Sequence, residues 1–165
     1  HCVAGTEWTW DGVRFLILHP GYDAYDLPGR KTNDMSCVLK VTSHFGSVLL
    51  TADIEARTEQ ALLRTNAVQL RSDVLLVPHH GSRTSSTPAF IAAVGAPIAI
   101  VPVGYRNSYR HPHPSVMTRY ADSRAQIYRT DRDGALDVRY SANGITTNAE
   151  RVEHARYWHN QQENQ

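Results

Sequence analysis

A buried strand that runs directly into two neighbouring histidines constrains this chain more than any other stretch. Residues 74–77 are four consecutive branched aliphatic residues, Val-Leu-Leu-Val, which is the pattern of a strand buried on both faces. Pro78 cannot donate a backbone hydrogen bond, so the strand ends there. Residues 79–82, His-His-Gly-Ser, follow at once. A polar loop therefore leaves the sheet at this point, and loops in such positions commonly carry function.

The second half of this loop has an ordinary structural interpretation. Thr87 suits a helix N-cap, and Pro88 suits the first position of a helix over residues 88–94. That interpretation leaves His79 and His80 unexplained, because adjacent histidines at a strand end add nothing to packing or capping. We therefore predict a metal or substrate role for the pair. The alternative is that they are surface or core histidines with ordinary contacts.

Length and composition indicate one domain with an ordinary core, since the chain has 165 residues of which 41% are hydrophobic. The net charge of +1 gives no global attraction to nucleic acid or to an acidic membrane. Nearly all the positive charge is arginine, because Lys31 and Lys40 are the only lysines. Arginine presents a planar fork that suits phosphate and carboxylate. Genomic base composition explains the same bias equally well.

The two cysteines, Cys2 and Cys37, are too few for a disulfide framework or a cysteine-rich zinc site. Cys37 lies within a strand pattern, so we predict that it is a small core residue. No stretch resembles a signal peptide or approaches the roughly 18 apolar residues of a membrane span, so we expect a soluble segment. The chain opens on His1 rather than methionine, and we expect it to be an excised piece of a longer protein.

Alternating strand and helix patterns predict an α/β layered fold. An Asp11-Gly12 turn predicts a hairpin, and a second hairpin is expected around Phe45-Gly46. A helix over residues 55–70 should place Ala61, Leu62 and Val68 in the core. The remaining predicted elements are an irregular loop over 21–34, strands over 96–103, 125–129, 135–140 and 145–147, and helices over 88–94 and 114–122. Residues 148–165 are predicted to be a polar C-terminal helix or tail, separate from a domain over residues 1–147.

Reactive side chains follow three successive strands. Asp53 follows one strand, His79 and His80 follow the next, and the loop over residues 104–113 follows the third. Ligands of open α/β sheets bind at the carboxyl ends of strands, so we expect these groups to converge on one edge. An N-terminal helix cap is the alternative explanation for Asp53.

A carboxylate among neutral imidazoles suits Zn²⁺ or another borderline divalent ion. Within the third loop, Arg106, Asn107 and Arg110 could hold an oxyanion such as phosphate. Metal-assisted hydrolysis is the reaction class that this combination implies, with His79, His80 or His111 transferring protons. The alternative for residues 111–114, His-Pro-His-Pro, is a rigid turn that leads into a helix.

Several runs together resemble the metallo-β-lactamase-like domain of ComEC-type DNA-uptake channels. These runs are residues 8–13, 18–20, 33–39, 49–55, 77–82, 104–107, 111–114 and 128–134. The resemblance extends to about Arg139. The His-His-Gly-Ser run by itself occurs in many metallo-β-lactamase relatives, so the flanking runs carry the narrower assignment.

The resemblance implies an αββα sandwich of four layers, of which residues 1–147 would be the C-terminal part, with a divalent metal (Zn or Mn) between its two sheets. Asp53 matches a metal-binding aspartate, and His79 or His80 matches a late histidine ligand, with His79 favoured because it is nearer the strand. Asn33 and Ser82 join the substrate-binding candidates. The parent protein would lie in the bacterial inner (plasma) membrane and pass one DNA strand inward. Its metal domain would be a nuclease that contacts the phosphate backbone of the other strand, independently of sequence.

The sequence departs from the superfamily pattern in two places. The early His-x-His-x-Asp-His motif is absent, and we expect it upstream of His1. Where many relatives carry another histidine ligand, this chain has Asn33 or Asp34, so either His19 substitutes or a single metal site exists. Because zinc sites use three or four protein ligands, the fragment alone is expected to be inactive, with no cofactor held. An uncovered sheet edge could also make it a homodimer.

Two other functions fit the same residues. The domain could be a non-catalytic module that guides DNA, with an arginine patch of Arg106, Arg110, Arg129 and Arg132 touching phosphates. It could also be a hydrolase of the same fold that acts on a small ester. Metal content separates the DNA-guiding module from the nuclease and the small-ester hydrolase. The choice between linear DNA and a small ester as substrate separates the nuclease from the hydrolase.

Overall fold

The computed structural model describes residues 1–155 and shows a mixed α/β fold, which confirms the predicted class at that level. The strands are β1 (Glu7–Trp10), β2 (Val13–His19), β3 (Val38–Ser43), β4 (Gly46–Leu50), β5 (Val74–Leu76), β6 (Ile98–Val101), β7 (Gln126–Arg129), β8 (Leu136–Ser141) and β9 (Gly144–Ala149). The helices are α1 (Ala56–Thr65), α2 (Ala67–Leu70), α3 (Pro88–Val94), α4 (Pro114–Asp122), α5 (Thr130–Asp133) and α6 (Glu150–Glu153). Short 3₁₀ turns cover Tyr22–Asp26, Thr32–Met35 and Pro78–Gly81. Within the described residues, no helix is long and apolar enough to cross a lipid bilayer.

The first seven strands form one sheet in chain order, from β1 to β7. Neighbouring strands are antiparallel from β1 to β4 and parallel from β4 to β7. Strands β2, β4, β5, β6 and β7 therefore point the same way. Their ends define one side of the sheet, which we call the carboxyl edge.

Alternating residues of the central strands pack on opposite faces of this sheet. On one face, strand residues such as Leu75 and Val101 pack with Leu62, Phe90 and Val116 from the helices. On the other face, a smaller cluster of Val74, Ile98 and Ile100 packs against the β8–β9 hairpin, which contributes Val138, Tyr140 and Ile145. The result is three layers: helices, sheet and hairpin.

The hairpins confirm the predicted turn chemistry with small shifts. Asp11 (φ 49°) and Gly12 (φ 76°) both adopt the left-handed backbone that a two-residue hairpin turn needs. The second hairpin turns at residues 44–45, one residue earlier than expected, because Ser43 pairs with Gly46. The β8–β9 hairpin turns at residues 142–143, because Ser141 pairs with Gly144. The predicted α-helices over residues 88–94 and 114–122 begin and end as expected.

The prediction of a single helix over residues 55–70 is wrong, because this stretch forms two helices, α1 and α2. Asn66 has a non-helical backbone (φ −136°, ψ 19°) and separates α1 from α2. Leu62 is 1% exposed as predicted, but Val68 is 88% exposed. The break at Asn66 interrupts the continuous helix that would have placed Val68 on the same face as Ala61, seven residues earlier.

Cys37 is not the small core residue that the strand pattern predicted, because it is half-buried, lies just before β3 and forms a disulfide with Cys2. The Cα atoms of the two cysteines are 5.9 Å apart, although 35 residues separate them in sequence. A backbone hydrogen bond from Ala4 N to Pro20 O (2.7 Å) lays the N-terminal segment along the end of β2, beside the start of β3. At the other end of the chain, residues 148 and 149 belong to β9, and the predicted tail beyond residue 155 lies outside the described residues.

Candidate functional site at the carboxyl edge

Three loops meet at the carboxyl edge: residues 51–55 after β4, 77–87 after β5 and 102–113 after β6. Backbone hydrogen bonds join them, from His79 N to Ala52 O (2.9 Å) and from His113 N to Gly81 O (2.9 Å). Gly81 (φ 77°) is required at its position, since a Cβ atom there would lie 2.6 Å from Pro112 Cβ. The structure thus brings Asp53, the histidine pair and the third loop together.

These loops hold an unusual amount of left-handed backbone. His79 (φ 49°) and His80 (φ 55°) adopt it in succession, and Gly81 continues it. Of the eight non-glycine residues with positive φ within residues 1–155, six lie in the three loops, namely Ala52, His79, His80, Ser86, Arg106 and Arg110. Such conformations cost on the order of 1–3 kcal/mol each and concentrate at functional sites. The cost is evidence that the histidines are held in place for a purpose other than packing.

The defining contact of the site joins His80 to Asp53. His80 Nδ1 lies 2.6 Å from Pro102 O; a carbonyl oxygen can only accept, so Nδ1 carries the proton and donates it. The other ring nitrogen, Nε2, lies 3.4 Å from Asp53 Oδ1. A neutral ring would then present its Nε2 lone pair to a carboxylate. A second proton or a cation between the two atoms would stabilise this arrangement, and both side chains are open to solvent, with exposed fractions of 47% for His80 and 43% for Asp53.

Two further imidazoles surround this pair. The ring centroid of His79 lies 6.4 Å from that of His80 and 6.0 Å from that of His111. His79 Nδ1 is buried 3.4 Å from Glu55 Oε1, but in a geometry that does not form a hydrogen bond. Burial, together with the neighbouring His79, His80 and His113, lowers the pKa of His111, so His111 is neutral at pH 7 and can accept a proton.

The described residues do not complete a metal site by themselves. Within residues 1–155, no group of three or more His, Cys, Asp or Glu side chains is arranged to hold a metal ion. Asp53 and His80 make a pair, whereas zinc sites use three or four protein ligands. The favoured sequence assignment paired His79 with Asp53; in the structure the imidazole that faces Asp53 is that of His80, and His79 faces Glu55.

His19 and Asp34, two candidates that precede β3, have partners other than this pair. His19, at the end of β2, donates from Nδ1 to Ser36 O (2.9 Å). Asp34 is buried with its Oδ2 atom 3.7 Å from Arg57 Nη1. Asn33 lies in the same 3₁₀ turn and is half-buried. No hydrogen bond or ion pair joins these side chains to Asp53 in the part of the chain that the structure describes.

Two of the predicted substrate-binding side chains brace the loops instead of facing outward. The Asn107 amide donates from Nδ2 to His111 O (2.7 Å) and accepts at Oδ1 from His111 N (2.9 Å). Ser82 is buried, and its Oγ lies 3.1 Å from Thr84 Oγ1. Both side chains therefore act on the position of their own loops.

The proposed arginine patch separates into two kinds of side chain. Arg129 pairs with Asp131 (2.7 Å) and Arg132 pairs with Asp133 (2.7 Å), so their charges are matched inside the protein. Arg106 and Arg110 are exposed on the third loop. The Arg106 Cζ atom lies 5.2 Å from the centroid of the Tyr105 ring. These last two guanidinium groups are the ones available to an anion.

The sequence did not reveal a buried carboxylate, that of Glu59, which binds backbone amides of the loop that carries His79 and His80. Glu59 is 0% exposed on α1 and accepts hydrogen bonds from Ser86 N and from Thr87 N (2.8 Å). Burial raises its pKa, and the hydrogen bonds from Thr87 and Ser86 oppose that rise. Arg119 also donates to Ser86 O (3.0 Å). The sequence signal was a glutamate on the same helical face as Leu62.

Comparison with known proteins gives several relatives that match most of this chain. No known family profile matches the chain. It is 35% identical over 158 residues to Competence protein ComA of Neisseria gonorrhoeae, covering 96% of this chain and 22% of that protein. It is 37% identical over 139 residues to Recombination protein 2 of Haemophilus influenzae, covering 84% of this chain and 17% of that protein. ComE operon protein 3 of Bacillus subtilis is 34% identical over 128 residues, which cover 78% of this chain and 16% of that protein.

This chain is homologous to one part of these proteins. It spans about a fifth of the length of the relatives it matches. The matches agree with the resemblance to ComEC-type proteins drawn from the sequence motifs.

Proposed function

We propose that the chain is part of a metal-dependent nuclease or phosphodiesterase domain in a membrane DNA-uptake protein of natural competence. The observation that carries this proposal is His80, which is fixed by Pro102 O and faces Asp53 at the carboxyl edge. A nitrogen lone pair directed at a carboxylate is an arrangement that a divalent cation stabilises. The relative named Competence protein ComA supports the biological setting.

The fold is compatible with the C-terminal part of a metallo-β-lactamase-like sandwich. Helices cover one face of the seven-stranded sheet and the β8–β9 hairpin covers part of the other, which corresponds to an α, β, β order of layers. The relatives are about five times longer than this chain. We propose that other parts of such a longer protein, which lies in the bacterial inner membrane, supply the remaining metal ligands.

The chain's own contribution can be stated residue by residue. Asp53 and His80 would be its two ligands to Zn²⁺ or Mn²⁺ in the intact domain, and that number falls short of a complete site. Neutral His111 would accept a proton, with His79 beside it. Arg106 and Arg110 would hold DNA phosphates through charge-assisted hydrogen bonds, without reading sequence.

Metal content and DNA cleavage of a longer protein that includes this chain test the proposal. We expect about one or two metal ions per molecule, cleavage of linear DNA, and loss of at least about a hundredfold in rate with Asp53→Ala or His80→Ala, because each removes a ligand. His44→Ala is the matched control, since His44 is an exposed histidine on the turn between β3 and β4, at the opposite edge. It should keep both metal and activity.

Other outcomes would favour the competing functions. A longer protein that binds DNA but holds no metal and cuts nothing would overturn the catalytic proposal in favour of a DNA-guiding module. Hydrolysis of a small phosphodiester with no action on DNA would indicate a small-ester hydrolase of the same fold.

A further inference from the structure

A cavity opens beside the Asp53–His80 pair. Its volume is about 380 Å³, and its lining includes His80, Pro102, Val103, Tyr109 and His111. Pockets of this size hold one small ligand. Because His80 belongs both to the cavity and to the contact with Asp53, a ligand in the cavity would lie next to the candidate reaction centre.

One wall of the cavity carries the exposed aromatic ring of Tyr109. This ring stacks on that of His111, with centroids 5.9 Å apart and planes 18° from parallel. Because Tyr109 is 80% exposed, the face of its ring that is turned away from His111 is open to solvent. Aromatic surfaces of this kind bind other planar rings through their faces.

Two of the polar side chains that line the cavity are already engaged. The Asn107 amide is bonded to the backbone of His111 at both ends. Thr130 Oγ1 accepts from Val103 N (2.7 Å) and donates to Val103 O (2.8 Å). These two side chains therefore add little hydrogen bonding to the edges of a planar ligand, and the other polar side chains of the lining are those of His80, Tyr109 and His111.

Positive charge lies on the same loop as the aromatic wall. Arg106 and Arg110 are both exposed and flank Tyr109 closely in sequence. Guanidinium groups suit phosphate oxygens. A ligand that combines a planar ring, which can stack on an aromatic side chain, with phosphate groups, which guanidinium groups bind, is a nucleotide.

We infer that this cavity binds one unstacked nucleobase of single-stranded DNA by stacking on the open face of Tyr109, with no preference for base identity, because every base presents a π-face. This inference rests on the proposed function and adds the substrate class. A base inside a duplex is already stacked and paired, and its extraction costs a few kcal/mol. Single strands and frayed ends would therefore enter the site ahead of intact duplex.

The test is the affinity of the longer protein for two single-stranded oligonucleotides of equal length and charge, one with bases and one with abasic residues. Both carry phosphorothioate linkages, which resist cleavage, and binding is followed by fluorescence anisotropy. We expect the oligonucleotide with bases to bind about 5-fold to 150-fold more tightly, the range that base–aromatic stacking contributes. Tyr109→Ala should remove that difference, whereas Tyr109→Phe, which retains the ring, should keep it.

Trp10→Ala is the matched control, because Trp10 is 74% exposed at the β1–β2 turn, at the opposite edge of the sheet. It should leave both affinities unchanged. A 2-aminopurine base in the strand should change its emission on binding to the wild type and not on binding to Tyr109→Ala. Equal binding of both oligonucleotides, or a base-dependent difference that survives Tyr109→Ala, would overturn the inference. Base-dependent binding by a longer protein that fails to cut unmodified linear DNA would instead overturn the proposed nuclease activity and support the subsite.

Discussion

At the scale of single residues, Glu59 connects the core to the histidine loop. Its carboxylate accepts from two consecutive backbone amides, those of Ser86 and Thr87. Glu59→Gln would turn an NH₂ group toward one of these donors and leave a buried N–H without an acceptor, which costs about 1–3 kcal/mol. We expect that loss in the free energy of unfolding, measured by urea denaturation. Glu153→Gln, at an exposed position of α6, is the control and should show no loss.

Single residues also show what the sequence can and cannot specify. The Thr87 cap was predictable, since its hydroxyl accepts from Phe90 N three residues away. The role of Glu59 depends on amides 27 and 28 residues away, and no local pattern encodes that contact. The choice between His79 and His80 as the partner of Asp53 also depends on left-handed backbone that sequence spacing does not reveal.

At the scale of elements, the disulfide fastens the N-terminal segment to the start of β3. It closes a loop with a sequence separation of 35 residues, which contains β1 and β2. Closing a loop of this size stabilises a protein by about 2–4 kcal/mol. We therefore expect reduction by dithiothreitol to lower the free energy of unfolding by that amount.

A double variant, Cys2→Ser with Cys37→Ser, provides the control for reduction. It should match the reduced wild type in stability and should not respond to dithiothreitol. Wild-type stability that is the same with and without dithiothreitol would contradict the structural role of the bond.

Elements were predictable where their signals were local. The Asp-Gly turn and the helix that begins at Pro114 follow from backbone preferences of a few residues. The helix over residues 55–70 was predicted too long because alanine and leucine continue past Asn66, and helical periodicity alone does not show a break there. The disulfide was missed because two cysteines far apart in sequence do not reveal that β2 brings them together.

At the scale of the whole molecule, convergence of the three loops follows from topology. Parallel neighbours β4, β5 and β6 end at the same edge, and the order of reactive residues after each strand was enough to predict a shared site. The cavity beside His80 was not predictable, because it depends on how the third loop folds back over Pro102 and Val103.

The pH dependence of stability tests the packing around β2. Burial is the largest cause that lowers the pKa of His19, and nearby Arg30 lowers it further, against a hydrogen bond to Ser36 and the charge of Asp34. The folded state therefore holds this ring neutral, whereas the unfolded chain takes up a proton near pH 6.5. The unfolded state binds more protons below that pH, so stability is fully present above it and is lost as the pH falls. The lowered pKa of His111 also makes the free energy of unfolding decrease as the pH falls.

We expect the melting temperature of the chain, measured in EDTA by circular dichroism, to fall between pH 7.5 and pH 5.5. His19→Asn should fall less, because asparagine can still donate to Ser36 O but does not titrate in this range. His44→Asn, an exposed histidine between β3 and β4, is the matched control, and its curve should follow that of the wild type. Identical slopes for His19→Asn and the wild type would show that His19 takes no part in the linkage. They would also show that the end of β2 is more open to water than its contact with Ser36 implies.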